Sequence, residues 1–379
     1  MTEPTAAAEP RDARAYVPYS DSVEVVQPNE AEDTAETIAV FDKLRTLTFE
    51  KHRHALRDAH AKSHGIVRGT LTVPEGLAPE LAQGLFARPG TYDVIARFST
   101  SPGDILADGV AAFRGLALKV LGVDGPKLLP EEADAVTQDF LFFNHPVIPT
   151  GDVKSYLAAQ KRMEKLAHAP EQLQEALTAT ARLAGDALRA VGLADPAGVI
   201  GQAKPHTHPV GETYYTGAAL RHGAYVAKLS VVPASEAARA LAGQHVDTGD
   251  NFALRDAVVA FFRAQGAEYD VQVQLCTDLE TMPVEDGSVR WPEDGAKGGS
   301  PYRTVGRLAF PPQEAFSPAR RVYADDVLTF TPFHALPAHR PLGSIMRVRR
   351  QAYETSSAYR HQMNAQPRAE PRAIDELPN

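Results

Sequence analysis

The sequence contains a single cysteine, Cys276, so it cannot form an internal disulfide. It has no run of about eighteen apolar residues, and therefore no membrane-spanning helix is predicted. It also lacks an excess of positive charge, because 39 Lys and Arg residues are interspersed with 48 Asp and Glu residues. Binding to a phosphate backbone needs clustered cations, so no nucleic-acid partner is expected.

No secretion signal is predicted either. Residues 1–6 carry neither a positively charged stretch nor the start of an apolar one. Together with the near absence of cysteine, this predicts a cytoplasmic protein.

The composition is that of a globular protein with a sizeable core, since 44% of the 379 residues are hydrophobic and 23% are charged. Residues 1–33 are rich in Ala, Pro, Glu and Asp and have few large apolar groups, so we expect a flexible arm there. Residues 34–365 are predicted to form one domain, and the charged, Pro-containing residues 366–379 a tail.

Apolar residues at helical spacing predict a helix over residues 33–61 and two more over 252–265 and 343–363. A further helical stripe consists of Leu173, Leu177, Ala181, Ala184 and Leu188. Strands are predicted at 66–73, 92–99, 114–121, 269–276 and 304–310, with a hairpin over 214–232. Antiparallel strands with segregated helices indicate an α+β fold, and the strands are numerous enough to close a β-barrel.

Arg57, His60 and His64 form the first candidate site. If the helix ran through them, their spacing would place all three side chains on one face. Histidines four residues apart can also bind zinc, but a third ligand is needed, and His52 and His54 lie more than a turn away without a helper Glu. The other alternative is a solvated basic surface.

Arg349, Tyr353 and Arg360 form the second candidate site. On a helix they share one stripe with Ser356 or Ser357. A free phenol has a pKa near 10, so a phenolate at neutral pH needs about 3 pKa units, roughly 4 kcal/mol, of extra stabilisation. Ferric iron and a neighbouring guanidinium can provide it. The alternative is an exposed basic helix.

Four strings, in this order along the chain, resemble motifs of the catalase family. They are residues 57–62 (Arg-Asp-Ala-His-Ala-Lys), 96–100 (Ala-Arg-Phe-Ser-Thr), 114–119 (Arg-Gly-Leu-Ala-Leu-Lys) and 349–360, which begins Arg-Arg-Gln-Ala-Tyr. The resemblance implies the catalase fold, an antiparallel β-barrel with surrounding helices, and haem b as the cofactor.

The resemblance also implies roles for the candidate residues. His60 would transfer the proton of a bound peroxide, and Ser99 would hydrogen-bond its ring. Tyr353 would be the axial ligand of the iron, with Arg349 as its charge partner. The haem propionates would be bound by Arg57, Arg97 and Arg360.

The distal amide of catalases is where the sequence departs from the family. Catalases have an asparagine shortly before a Phe-Phe pair, and alignment on Phe142 and Phe143 places Gln138 there. Its side chain is one methylene longer. We therefore predict Gln138 as the second catalytic group and keep Asn144, directly after the pair, as the alternative.

The chain ends soon after the second candidate site and so resembles the short, catalase-related haem proteins. This predicts a haem-dependent peroxidase that uses hydrogen peroxide or an organic hydroperoxide with a small organic donor, beside weak catalase activity. Two alternatives stay open: a haem enzyme that rearranges fatty-acid hydroperoxides, and a haem-binding protein without turnover. A homo-oligomer is compatible with the sequence.

Overall fold

Nine antiparallel strands frame the part of the chain that the structure, a computed structural model, describes: residues 16–167, 176, 180 and 206–379. They are β1 (Lys62–Val73), β2 (Gly90–Thr100), β3 (Arg114–Leu121), β4 (Thr137–Phe143), β5 (Tyr214–Tyr215), β6 (Leu220–His222), β7 (Tyr225–Pro233), β8 (Ala267–Leu275) and β9 (Arg303–Phe310).

Eight of these strands close into a barrel. Hydrogen-bonded neighbours follow the order β5-β4-β3-β2-β1-β9-β8-β7, and β5 also pairs with β7 and completes the ring. Strand β6 pairs with β7 outside the ring. Closure pairs the edge strands with each other and leaves no long open edge. The predicted α+β fold with an antiparallel barrel is confirmed.

Alternation along β2 separates the core from the outer face of the barrel. Ala96 and Phe98 are fully buried in the main hydrophobic cluster inside the barrel. Arg97 and Ser99 lie on the opposite face of the strand, since successive side chains of a strand alternate. The outer face of β1, β2 and β3 is therefore where a polar site can be built.

Helices pack against this barrel. They are α1 (Glu30–His52), α2 (Val153–Ala167), α3 (Glu236–Arg239), α4 (Ala253–Ala264), α5 (Pro318–Val322) and α6 (Ser344–Met363). Helices α1, α2 and α6 contact one another, and α4 packs on β1. The predictions for α4 and α6 agree with the structure within one residue at each end, whereas the stripe at 173–188 lies outside the described residues. No described helix is long and apolar enough to cross a membrane.

The segment before α1 is docked rather than free from residue 16 onward. The amide of Val17 donates to the carbonyl of Cys276 at 2.8 Å. Farther along, Arg347 of α6 pairs with Glu24 at 2.7 Å and with Glu30 at 2.5 Å. The sequence predicts a flexible arm up to residue 33, and these contacts contradict it for residues 16–33. Composition does not show ion pairs to a helix more than three hundred residues away.

Residues 366–379 pack on the outer face of the barrel, in contrast to the predicted tail. Leu377 is fully buried against Ile66 and Ile95. Glu370 pairs with Lys119 at 2.7 Å. This segment therefore belongs to the folded unit.

Strand β4 was not predicted from the sequence, because Gln138 and Asp139 stand where a buried strand usually has apolar residues. The structure pairs Asp139 with Lys119 at 2.8 Å, and both side chains are fully buried. His334 approaches the same carboxylate at 3.1 Å. Burial alone would raise the pKa of Asp139, but the Lys119 ammonium and His334 lower it overall. Buried charges are tolerated here because they are paired.

Candidate functional site

His60 lies in an irregular segment that joins α1 to β1. The helix ends at His52, and Arg53 adopts a left-handed conformation with a φ of 52°. The Asn364 side chain then hydrogen-bonds both backbone groups of Ala55: its Oδ1 accepts from the N–H and its Nδ2 donates to the C=O, at 2.9 Å each. The sequence predicts a helix to residue 61, and that prediction is wrong because this side chain satisfies the backbone groups that a longer helix would pair.

Two strands hold His60 in place from the outer face of the barrel. Ser99 Oγ lies 3.3 Å from His60 Nδ1, and Arg97 Nη2 donates to the His60 carbonyl at 2.9 Å. Gly115, the register partner of Ser99 on β3, packs directly on the imidazole. A Cβ at this glycine would lie 2.5 Å from His60 Nδ1. The ring therefore fits only because residue 115 has no side chain.

The hydrogen bonds of Ser99 favour one tautomer of His60. Ser99 Oγ donates to the Gly115 carbonyl at 3.5 Å, so it is available as an acceptor for His60 Nδ1–H. In that arrangement His60 Nε2 carries the lone pair. Burial, together with the charges of Arg97 and Arg349, lowers the pKa of His60 to about 3. His60 is thus a neutral base at physiological pH.

Tyr353 and Arg349 lie four residues apart on α6, as the sequence predicts. Arg349 Nη2 donates to Tyr353 Oη at 2.7 Å. Tyr156 of α2 joins them, and burial raises its pKa to about 12 although the charge of Arg349 opposes the rise. A cleft beside Arg349 is lined by Leu141, Pro332 and Met346, among other residues. The arrangement can hold a phenolate next to a fixed guanidinium.

Arg57 and Arg360 converge on one short stretch of backbone after α5. Both donate to the carbonyl of Leu328, at 2.8 and 3.0 Å. Arg57 also donates to the Ala324 carbonyl at 2.6 Å, and Arg360 to the Asp325 carbonyl at 2.7 Å. The stretch includes a π-helical turn, Tyr323–Val327.

Arg97 completes this arginine cluster, which we define as Arg57, Arg97 and Arg360. Its Nε donates to the Asp325 carboxylate at 2.9 Å. Burial, together with the charges of Arg360 and Arg97, lowers the pKa of Arg57 well below its ordinary value. Three guanidiniums are therefore held close together, and one of them is paired with a carboxylate.

These residues fit a haem. Arg57 Nε is buried and without a hydrogen-bond partner, which leaves a donor for an anionic ligand. Guanidiniums are planar donors that suit carboxylates, and haem carries two carboxylates as its propionates. The Tyr353 phenol is a known type of ligand for ferric haem iron.

Gln138 is not brought to this site. Its Oε1 accepts from the Leu336 amide at 2.8 Å, and its Nε2 donates to the Asp139 carbonyl at 3.0 Å. On β4 it lies opposite Val120, on the face turned away from Gly115 and Ser99. The structure therefore contradicts the prediction that Gln138 completes the pocket of His60. The Gln138 side chain instead anchors the backbone at Leu336.

Asn144 and His64 also make structural contacts: Asn144 binds the backbone of β3, and His64 is buried against β2. Asn144 Oδ1 accepts from the Arg114 amide at 2.9 Å, directly before Gly115. His64 lies on β1, fully buried, with Nε2 at 2.6 Å from Thr100 Oγ1. Among the described residues, no group of three or more His, Cys, Asp or Glu side chains could hold a metal ion. The zinc alternative therefore has no support in this part of the chain.

Three residues of the site were not predicted from the sequence. Gly115 stands inside a recognised string, but its contact with His60 depends on strand register. Tyr156 and Asp325 lie on α2 and on the π-helical turn, in segments without a motif. Only their position in space marks them.

Comparison with known proteins agrees with this architecture. No protein-family model matches the sequence, and a comparison with curated protein sequences finds no match. The structure is similar to the crystal structure of a fungal catalase, with a TM-score of 0.54 and 17% identity over 87% of this chain and 67% of that one. Catalase A from Saccharomyces cerevisiae gives a TM-score of 0.53 and 17% identity over 87% and 69%. The chain thus has the catalase fold, as predicted.

Proposed function

We propose that the protein is a haem b-dependent peroxidase that uses hydrogen peroxide or an organic hydroperoxide to oxidise a small organic donor, with weak catalase activity beside it. The observation that carries this proposal is the joint position of a neutral, buried imidazole and an arginine-paired phenol. Arg349, which holds Tyr353, lies close enough to His60 that its charge lowers the pKa of that ring. The arginine cluster beside them fits the two propionates.

The residues of the site have two roles: some bind the cofactor, and His60 transfers a proton. Haem, when bound, supplies a ferric ion with Lewis-acid and redox chemistry. Tyr353 would hold that ion through its phenol oxygen, and Arg349 would stabilise the phenolate charge. The arginine cluster would neutralise the propionates and fix their position.

His60 transfers the proton. Its Nε2 would accept the proton from one oxygen of the peroxide and return it to the other, which would leave as water or, from an organic hydroperoxide, as an alcohol. Bound haem would supply the two electrons that this heterolytic cleavage needs, and the organic donor would return them. Ser99 and Gly115 keep the ring in the orientation that this transfer needs, and Arg97 holds the backbone of His60. A low pKa keeps the acceptor nitrogen free of a proton before peroxide arrives.

Two other functions use the same site. A haem enzyme that rearranges fatty-acid hydroperoxides would consume a lipid hydroperoxide without any donor. A haem-binding protein without turnover would keep Tyr353 and have no use for a positioned His60. The bonds of Ser99 and Arg97 to His60 favour turnover over simple binding.

One set of assays separates these activities in the haem-loaded protein. Hydrogen peroxide alone tests oxygen evolution, hydrogen peroxide with a phenolic donor tests donor oxidation, and a fatty-acid hydroperoxide alone tests rearrangement. We expect donor oxidation to be the fastest per haem. Faster consumption of the lipid hydroperoxide without a donor would replace our proposal by the first alternative.

Gly115→Ala is expected to lower donor oxidation by about 100-fold while haem stays bound. The added methyl would lie within 2.7 Å of two imidazole atoms and 2.9 Å from Ser99 Oγ, so the ring must move. Displacement of a catalytic group by about 1 Å costs on the order of 100-fold in rate. Gly90→Ala, whose Cβ meets nothing nearer than 3.9 Å, is the matched control. Full activity in Gly115→Ala would show that the position of His60 does not matter.

The rate of peroxide turnover is expected to stay level from about pH 8 down to about pH 5, as far as His60 determines it. Burial lowers the pKa of His60 from 6.5 to about 3, so the neutral base persists through this window and is lost only below it. A pH profile of kcat/KM for peroxide checks this. A loss of rate centred near pH 6.5, absent from a variant without His60, would show that the imidazole titrates as an ordinary histidine.

A further inference from the structure

Asp325 contacts two members of the arginine cluster, Arg97 through its carboxylate and Arg360 through its backbone. Its Oδ1 accepts from Arg97 Nε at 2.9 Å, and its Oδ2 accepts from Ser63 Oγ at 2.8 Å. Its backbone carbonyl accepts from Arg360 at 2.7 Å. The carboxylate is thus fixed from two strands, and the backbone of the same residue, on the π-helical turn, is fixed from one helix.

The neighbouring carboxylates form ion pairs with residues outside the cluster. Asp326 pairs with His54 at 2.8 Å, and Asp58 pairs with Arg45 at 2.7 Å. Arg321 approaches Asp325 only to 3.9 Å, with about half of its side chain in solvent, where water screens the pair. Asp325 is therefore the carboxylate that compensates the cluster directly, and three guanidiniums with one carboxylate leave a net charge of plus two.

Asp325 opposes the repulsion among the arginines, and Asp326 and Asp58 add smaller effects of the same sign at Arg360. Burial and the mutual repulsion of the guanidiniums lower the pKa of Arg57, whereas Asp325 raises it. For Arg360, burial lowers the pKa to about 10 and Asp325 is the largest charge acting against that fall. Without a ligand, the cluster depends on Asp325 for its stability.

We propose that Asp325 is a resident counter-ion that competes with the carboxylates of the ligand for the arginine cluster. It keeps the unliganded protein folded and, by the same contact with Arg97, weakens the binding of a dicarboxylate porphyrin. This inference rests on the proposed function, because it takes the ligand to be a haem. It goes beyond that function in assigning to one residue the balance between cofactor affinity and stability of the empty protein.

Removal of the charge should therefore have two opposite effects. One unit charge at close range in an environment of intermediate dielectric is worth at least about tenfold in an equilibrium constant. Asp325→Asn is expected to bind the porphyrin dicarboxylate about tenfold more tightly and to unfold at a lower temperature when empty. A residue that only supported the turn would lower both affinity and stability.

The test uses metal-free protoporphyrin IX, so that ligation by Tyr353 and proton transfer by His60 do not contribute. Fluorescence titration gives the Kd for wild type, Asp325→Asn and Asp325→Glu, and thermal unfolding of the empty proteins gives their Tm. Asp326→Asn is the matched control, because it removes the adjacent charge, which pairs with His54. We expect a lower Kd for protoporphyrin IX and a lower Tm for Asp325→Asn alone. With the dimethyl ester of protoporphyrin, we expect no variant to bind more tightly than wild type.

The inference is overturned if Asp325→Asn binds protoporphyrin IX with the same affinity as wild type or a lower one. It is also overturned if the affinity rises equally with the dimethyl ester, or equally in Asp326→Asn. If Asp325→Asn does not fold, Asp325→Ser removes the same charge with a smaller side chain and is judged by the same criteria. Failure here is distinguishable from failure of the proposed function. Porphyrin binding needs no iron and no peroxide, whereas donor oxidation by the haem-loaded wild type is measured separately.

Discussion

Tyr353→Phe is expected to lower the affinity for ferric haem by about 100-fold or more and to change the visible spectrum of any haem that remains. Stabilisation of a phenolate at neutral pH amounts to roughly 4 kcal/mol relative to the free phenol, and the iron provides most of it. Phenylalanine keeps the ring but removes the oxygen that Arg349 contacts at 2.7 Å. Titration of the empty protein with haem, followed by its Soret band, measures the loss.

Tyr359→Phe is the matched control for this substitution. It removes a phenol from the same helix, but Tyr359 packs on Phe49 and Arg45 and does not face the site. We expect its haem titration to match wild type. Retention of wild-type affinity and spectrum by Tyr353→Phe would mean that another group binds the iron.

His60→Ala is expected to lower peroxide turnover by about 100-fold to 10,000-fold while haem binding persists, which is the usual range for the loss of a general acid–base group. The ring does not hold the arginine cluster through its side chain, because Arg97 donates to the backbone carbonyl of residue 60. Haem affinity should therefore change little. Stopped-flow measurement of peroxide consumption, at equal haem occupancy, checks the rate.

His52→Ala serves as the control for His60→Ala. It removes an imidazole from the end of α1 that pairs with Asp104 at 2.5 Å and lies outside the site. We expect wild-type turnover from this variant. If His60→Ala instead consumes peroxide at the wild-type rate with haem bound, the protein is a haem binder or uses a different base.

Most of the strands and the contact between Arg349 and Tyr353 could be predicted because their signals are local. Alternation on β2 and the start of β3 follow from a few residues each. The four-residue spacing of Arg349 and Tyr353 places them together on any helix, and α6 begins one residue from its predicted start. Such features do not depend on the rest of the chain.

The features that escaped prediction depend on contacts far apart in sequence. Strand β4 carries Asp139 because Lys119 and His334 lie beside it in the folded protein. The irregular segment before His60 persists because Asn364, about three hundred residues later, pairs with its backbone. Gln138 was misplaced for the same reason, since its direction follows from the register of β4 with β3. No periodicity in the sequence encodes these partners.

The rate of peroxide consumption per haem by the loaded wild-type protein, compared with free haem under the same conditions, tests the central claim most directly. We predict a protein with a Soret band and a rate that exceeds that of free haem by at least about 100-fold, the lower limit for a positioned acid–base group. A rate equal to that of free haem, or a correctly folded protein that binds no haem, would contradict it.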